Sequence, residues 1–182
     1  MIIGIVGLIG SGKGAVAEIL QEKGFTKMGH SAEISNELKK QGISVSRDNQ
    51  RSLANEYRKK YGYGYWAKRL LAKVESGRNY VIEGFRNIPE IDEFRKRDDF
   101  VLLGVSTGSK RRFSWVIKRA RKGDPLNLEE FEKLEKIDFL QTEKEGQQNA
   151  LCFSMADYYI SNEGTFEDLR KSVEVFLERT GI

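Results

Sequence analysis

The segment that most constrains the fold lies at the very start. Met1-Ile2-Ile3-Gly4-Ile5-Val6 is a short, largely β-branched apolar run, and it leads straight into Gly7-Leu8-Ile9-Gly10-Ser11-Gly12-Lys13-Gly14-Ala15-Val16. An apolar run of that length, stopped by glycine, suits a strand buried on both faces of a parallel sheet. Gly7-x-x-x-x-Gly12-Lys13 then satisfies the first seven positions of the phosphate-loop pattern. Its glycines let successive backbone N–H groups converge on one anion, the following helix N-terminus adds partial positive charge, and the lysine reaches the outer phosphates. Gly7, Gly10, Ser11, Gly12, Lys13, Gly14 and Ala15 are therefore the nucleotide-binding candidates. One component is missing. Gly14 and Ala15 follow the lysine, where a Ser or Thr hydroxyl usually ligates Mg²⁺.

The rest of the chain alternates. A helix is expected from about Lys13 to Lys23, stopped by Gly24. Further strands are expected at Phe25 to Met28, Tyr80 to Ile82, Phe100 to Val105 and Tyr158 to Ser161. Helical patterns fall at Ala32 to Gln41, Asp48 to Tyr61, Tyr65 to Ser76, Pro89 to Arg97, Ser109 to Arg121, Leu128 to about Glu145, and Phe166 to Thr180. Strands alternating with helices predict an α/β fold in three layers around a five-stranded parallel sheet, with ligands gathered beyond the carboxyl ends of the strands. No linker divides the 182 residues, so a single domain is expected over 1–182.

Composition narrows the classes further. With 32% charged and 39% apolar residues, the chain is too apolar for disorder, and its net charge of +4 suits an anionic ligand. Aromatic-basic motifs of the known RNA and DNA modules are lacking, so nucleic acid is not the expected partner. The N-terminal apolar run is too short for a membrane span or a signal peptide. Cys152 is the only cysteine, which excludes an intrachain disulfide and a cysteine zinc site, and a cytoplasmic location is expected.

Several segments resemble known nucleotide kinases. Gly12-Lys13-Gly14 followed by a small residue is similar to the loop of adenylate-kinase-type enzymes, in which Thr usually stands at the position of Ala15. Glu83-Gly84-Phe85-Arg86 looks like the Asp-Gly-Phe-Pro-Arg segment of nucleoside monophosphate kinases. That resemblance implies that Glu83 orients metal-bound water and that Arg86 clamps the acceptor phosphate. The cation-rich run Lys110 to Asn127 resembles the arginine-bearing lid of the same enzymes, placed at about 119–128. There, Arg119 and Arg121 would touch the transferring phosphates and Arg112 would lie near the adenine, while Lys118 and Lys122 read as solvated surface. Met155 to Leu169 looks like the last strand and turn of dephospho-coenzyme A kinases, which would put Asn162 beside the base.

The segment at about 29–76 is expected to be a helical insertion that selects the acceptor, similar to an archaeal-type group related to dephospho-coenzyme A kinases. Arg47 and Arg58 either bind acceptor phosphate there or are surface charge. Trp66 reads as core or as a base-stacking ring, and His30 as a loop residue or an acceptor contact. Taken together, the resemblance implies a P-loop kinase using ATP and Mg²⁺ on a small nucleotide acceptor, as monomer or homodimer, away from membranes. The acceptor is read as a nucleoside or deoxynucleoside monophosphate or as dephospho-coenzyme A. A third reading is a nucleotide-binding ATPase or switch.

Overall fold

A computed structural model describes residues 1–121, 124–140 and 148–181. In chain order the elements are β1 (Ile2–Val6), α1 (Lys13–Glu22), β2 (Thr26–Gly29), α2 (His30–Lys40), α3 (Arg47–Tyr61), α4 (Tyr65–Leu71), β3 (Tyr80–Glu83), α5 (Ile88–Phe94), β4 (Phe100–Ser106), α6 (Ser109–Arg119), α7 (Leu128–Leu140), α8 (Asn149–Ser154), β5 (Tyr158–Ser161) and α9 (Phe166–Thr180). The sheet order is β2-β3-β1-β4-β5, and every paired strand runs parallel. β1 therefore lies in the centre, flanked by β3 and β4. Its carboxyl end opens into the crevice where chain order reverses across the sheet, the usual place for a ligand.

Strand alternation sorts the core into two layers. Ile3 and Ile5 of β1 join Val81, Leu103 and Val105 against α1 and α9, where Val16, Leu20, Val173 and Phe176 are buried. Ile2 and Val6 point the other way and pack with Ile82, Leu102, Ile91, Phe94 and Cys152 beneath α4, α5 and α8. Both faces are covered, which explains why β1 reads as an unbroken apolar run instead of an alternating one. Gly4 sits where Phe100 and Leu102 cross β1. A methyl group there would meet both side chains at 2.9 Å.

The insertion between β2 and β3 carries its own small core, in which Ile34, Leu38, Leu53, Ala54 and Trp66 are buried against Tyr57 and Tyr65. Trp66 stacks on Tyr57 at 5.3 Å and donates its indole N–H to the Ala54 carbonyl at 3.2 Å. Its place is thus the core, and no face is left for stacking on a base.

Three expectations differ from the structure. The helix expected to Ser76 stops at Leu71, the one expected to Arg97 stops at Phe94, and α8 had no counterpart in the sequence pattern. Six residues of α8 are too few to show a period. The end expected near Glu145 and the residue Lys122 lie outside the described residues. No helix among the described residues is long and apolar enough to cross a membrane.

Candidate active site

The phosphate loop joins the buried end of β1 to α1, and its shape is held from outside. Lys13 Nζ donates to the carbonyls of Gly7 and Leu8 at 2.7 and 2.9 Å. Arg112 Nη1 donates to the Ile9 carbonyl at 3.1 Å, and the Ser11 carbonyl accepts from Thr107 Oγ1 at 2.9 Å and Asn162 Nδ2 at 3.1 Å. Because carbonyl and N–H are fixed to one planar peptide, holding these oxygens also fixes the orientation of the N–H groups of Leu8, Ile9, Gly10 and Gly12. The loop is thereby preset to bind an anion.

Two glycines are required by this clasp. Gly10 has φ of +77° and a Cβ there would meet the Arg112 carbonyl at 2.8 Å, while Gly12 has φ of +93° and a Cβ there would meet Asn162 Nδ2 at 2.0 Å. At Gly14, by contrast, nothing lies within 4 Å of a Cβ, so the first turn of α1 is open to a ligand. Ser11 Oγ is buried without a hydrogen-bond partner, and the Ser11 N–H is spent within the loop on the Leu8 carbonyl at 3.2 Å.

Opposite the loop stands the tip of β3. Glu83 pairs in register with Ile5 of β1, and Gly84 turns the chain at φ of +91°. The Glu83 carboxylate pairs with Lys27 of β2 at 2.7 Å. His30 Nδ1 lies 3.1 Å from the Glu83 carbonyl, which makes this nitrogen the donor, and the ring packs edge-on against Phe85 at 4.9 Å. His30 is thus a buried support for the strand tip and not a loop residue; burial pulls its pKa below the ordinary value. The Arg86 backbone N–H donates to Glu90 Oε2 at 2.8 Å, and Arg86 Nη1 donates to Asn149 Oδ1 at 2.9 Å. Lys13, Gly7, Phe85, Arg86, Asn149 and Cys152 line one narrow cleft between the loop and this tip. Burial pushes the Cys152 thiol up to about 12, so it remains protonated and inert there.

Arginines of the sequence-based candidate set take different places. Arg58 is buried, with Nε and Nη2 on Glu90 Oε1 at 3.2 and 2.8 Å and Nη1 on Asn55 at 3.1 Å. Its role is to neutralise a carboxylate with no solvent exposure, which corrects its assignment as an acceptor ligand. Arg112 is a buried brace, engaged by the Thr107 carbonyl, the Ile9 carbonyl, Glu135 and the Phe131 ring. Asn162 clasps the Ser11 carbonyl through its side chain, which ties the turn after β5 to the phosphate loop. Arg119 forks onto Asp124, Arg47 reaches the same carboxylate at 3.2 Å, and Arg121 lies exposed beside them.

Sequence reasoning missed Glu90, Lys27, Thr107, Asn149 and Asp124. Only Asp124, next to Pro125 after a run of cations, carried a local cue. Among the described residues, no group of three or more His, Cys, Asp or Glu is placed to hold a metal.

With that geometry in view, comparisons with known proteins are informative. The family model described as AAA domain matches residues 3–112. A UPF0200 protein of Sulfurisphaera tokodaii is 32% identical over 98% of this chain and 96% of its own length, and one of Staphylothermus marinus is 29% identical over 98% and 92%. Among solved structures, shikimate kinase from Acinetobacter baumannii in complex with shikimate superposes with a TM-score of 0.63 at 16% identity, covering 98% of this chain and 93% of that one. A gluconokinase from Sinorhizobium meliloti gives 0.57 at 14% identity, covering 98% and 91%. The fold is that of the P-loop kinases.

Proposed function

The chain belongs to the AAA domain family and to the UPF0200 group, and from that premise we propose that it is an ATP- and Mg²⁺-dependent phosphotransferase that moves the γ-phosphoryl group to a nucleotide-type acceptor, a nucleoside or deoxynucleoside monophosphate. One observation carries the reading: Lys13 of the phosphate loop and Arg86 of the β3 tip line the same cleft. One cation on the donor side faces one on the acceptor side, which is the positioning that phosphoryl transfer needs in place of a protein nucleophile.

In this reading the loop N–H groups bind the donor phosphates, and Lys13 exchanges the carbonyls of Gly7 and Leu8 for phosphate oxygens. Arg86, held by Asn149, grips the acceptor phosphate with its planar fork. Arg119 and Arg121 approach from the lid and stabilise charge on the transferring group, and Arg47 reaches the acceptor from α3. The donor set fits a metal carried mainly by phosphate and water. Ala15 offers no hydroxyl and Glu83 is the carboxylate at the strand tip, so Glu83 would hold Mg²⁺ through water after yielding Lys27, as suits an ion that keeps most of its hydration. Bound there, Mg²⁺ would neutralise charge on the phosphate oxygens.

The test is a panel of ATP and Mg²⁺ with each nucleoside and deoxynucleoside monophosphate, dephospho-coenzyme A, shikimate and gluconate, reading ADP and phosphorylated product. Monophosphate products support the proposal. Dephospho-coenzyme A or the two acids as preferred acceptors would replace it, and ADP release that no acceptor stimulates would leave only an ATPase. Lys13→Ala is expected to abolish transfer, and Arg86→Ala to raise chiefly the acceptor KM.

A further inference from the structure

Asp124 is unusual for a residue of a lid loop. Its side chain is 2% exposed although Arg119 and Arg121 nearby face solvent. Oδ2 accepts from Arg119 Nε at 2.8 Å and from the Arg121 N–H at 3.1 Å. Oδ1 accepts from Arg119 Nη2 at 3.1 Å and from Arg47 Nη2 at 3.2 Å. Arg119 is thus held by a two-pronged fork, the geometry that fixes a guanidinium most firmly. Arg47 comes from the first position of α3, 77 residues earlier in the chain. A carboxylate that served only to close the turn after α6 would need Arg119 and the Arg121 N–H, and it would have no use for Arg47.

The two arginines joined here belong to the two sides of the proposed reaction. In that reading one lies on the lid and the other on the helix assigned to the acceptor. Two guanidiniums brought close repel each other, and a shared carboxylate cancels the repulsion and sets their orientation. Burial by itself would raise the Asp124 pKa, but Arg119 and Arg47 outweigh it and hold the group below the ordinary carboxylate value, so the ionised form is the one that joins them.

We propose that Asp124 is a positioning residue that yokes lid Arg119 to Arg47 of the acceptor-binding helix, so that the lid arginine is oriented over the phosphates only when α3 is in place. The proposal rests on the kinase reading for its kinetic consequence, and the yoke itself can be observed without any reaction. Losing one side of the yoke should loosen the other.

The experiment uses the full chain with Asp124→Asn, Asp124→Glu and Arg47→Ala. Hydrogen exchange in the ligand-free protein reads the yoke directly, through the Arg121 amide that donates to Asp124 and through the Asn49 and Gln50 amides that close the first turn of α3 on Ser46. Asp124→Asn is expected to speed exchange several-fold at both places with Asp124→Glu restoring much of the protection. Faster exchange at Arg121 alone, with the α3 turn unchanged, would overturn the proposal and leave Asp124 a turn residue.

With an accepted substrate in hand, Asp124→Asn should lower kcat about tenfold with little change in the ATP KM, the mark of a group acting through transition-state orientation. Arg47→Ala should cost less when added to Asp124→Asn than it does in the parent, since residues of one network are non-additive. Fully additive losses would refute the coupling. A wild-type chain that phosphorylates no acceptor would count against the kinase reading, while the exchange data would still decide the yoke.

Discussion

Replacing Arg58 by Ala separates a buried structural arginine from an acceptor ligand. Its side chain is 8% exposed and that of Glu90 is 0% exposed, with the pair 2.8 Å apart. Removing the guanidinium leaves an ionised carboxylate in the interior, a change that typically costs about 3–5 kcal/mol. Glu90 Oε2 keeps the Arg86 N–H at 2.8 Å, and this retained bond places the expected loss near the lower end, about 3 kcal/mol. For a chain of this size each kcal/mol moves Tm by about 2–4 °C, so Arg58→Ala should melt on the order of 6–12 °C below the parent. Calorimetry and urea unfolding measure it directly. The double variant Arg58→Met, Glu90→Gln removes both charges while Gln can still accept from the Arg86 N–H, and it should recover most of the loss. An Arg58→Ala protein that melts within about a degree of the parent but has a sharply raised acceptor KM would show that Arg58 serves the ligand after all.

Other predictions follow from the loop clasp and the strand tip. Gly12→Ala introduces a Cβ at φ of +93°, 2.0 Å from Asn162 Nδ2, and should abolish ATP binding by calorimetric titration; retained affinity would contradict the clasp. His30 is buried with its pKa pulled below the ordinary imidazole value of 6.5, so the unfolded chain takes up a proton before the folded one does. Its stabilising contribution is complete above about pH 6.5, declines as pH falls from there, and levels off below the lowered folded pKa. Burial is the main cause; Arg58 and Arg86 oppose the added charge and Glu90 and the Glu83 carbonyl favour it. His30→Gln should flatten the loss of unfolding free energy as pH falls below about 6.5, and an unchanged slope would remove His30 as its source.

The site was legible in the sequence where its signal is local. Ile2 to Lys13 spell strand, turn and helix start because burial on both faces, positive φ and the helix N-terminus each impose a residue type within a few positions. Glu83-Gly84-Phe85-Arg86 was legible for the same reason, as a strand ending in a turn. The arginines were not. Arg58, Arg112 and Arg119 are the same residue type whether solvated, paired or on a ligand, and their partners Glu90, Glu135 and Asp124 mean nothing until the chain folds.

The sequence by itself therefore determined the class of fold, the phosphate loop and the order of the segments around it, because these depend on periodicity and backbone conformation within single elements. Only the tertiary structure decided which cations face the cleft and which are consumed inside the protein. That outcome depends on carboxylates and carbonyls far away in sequence. Arg112 meets Ile9 and Asn162 meets Ser11 only after the sheet has brought the ends of β4 and β5 to the same edge as the end of β1, with β4 paired to β1 and β5 to β4.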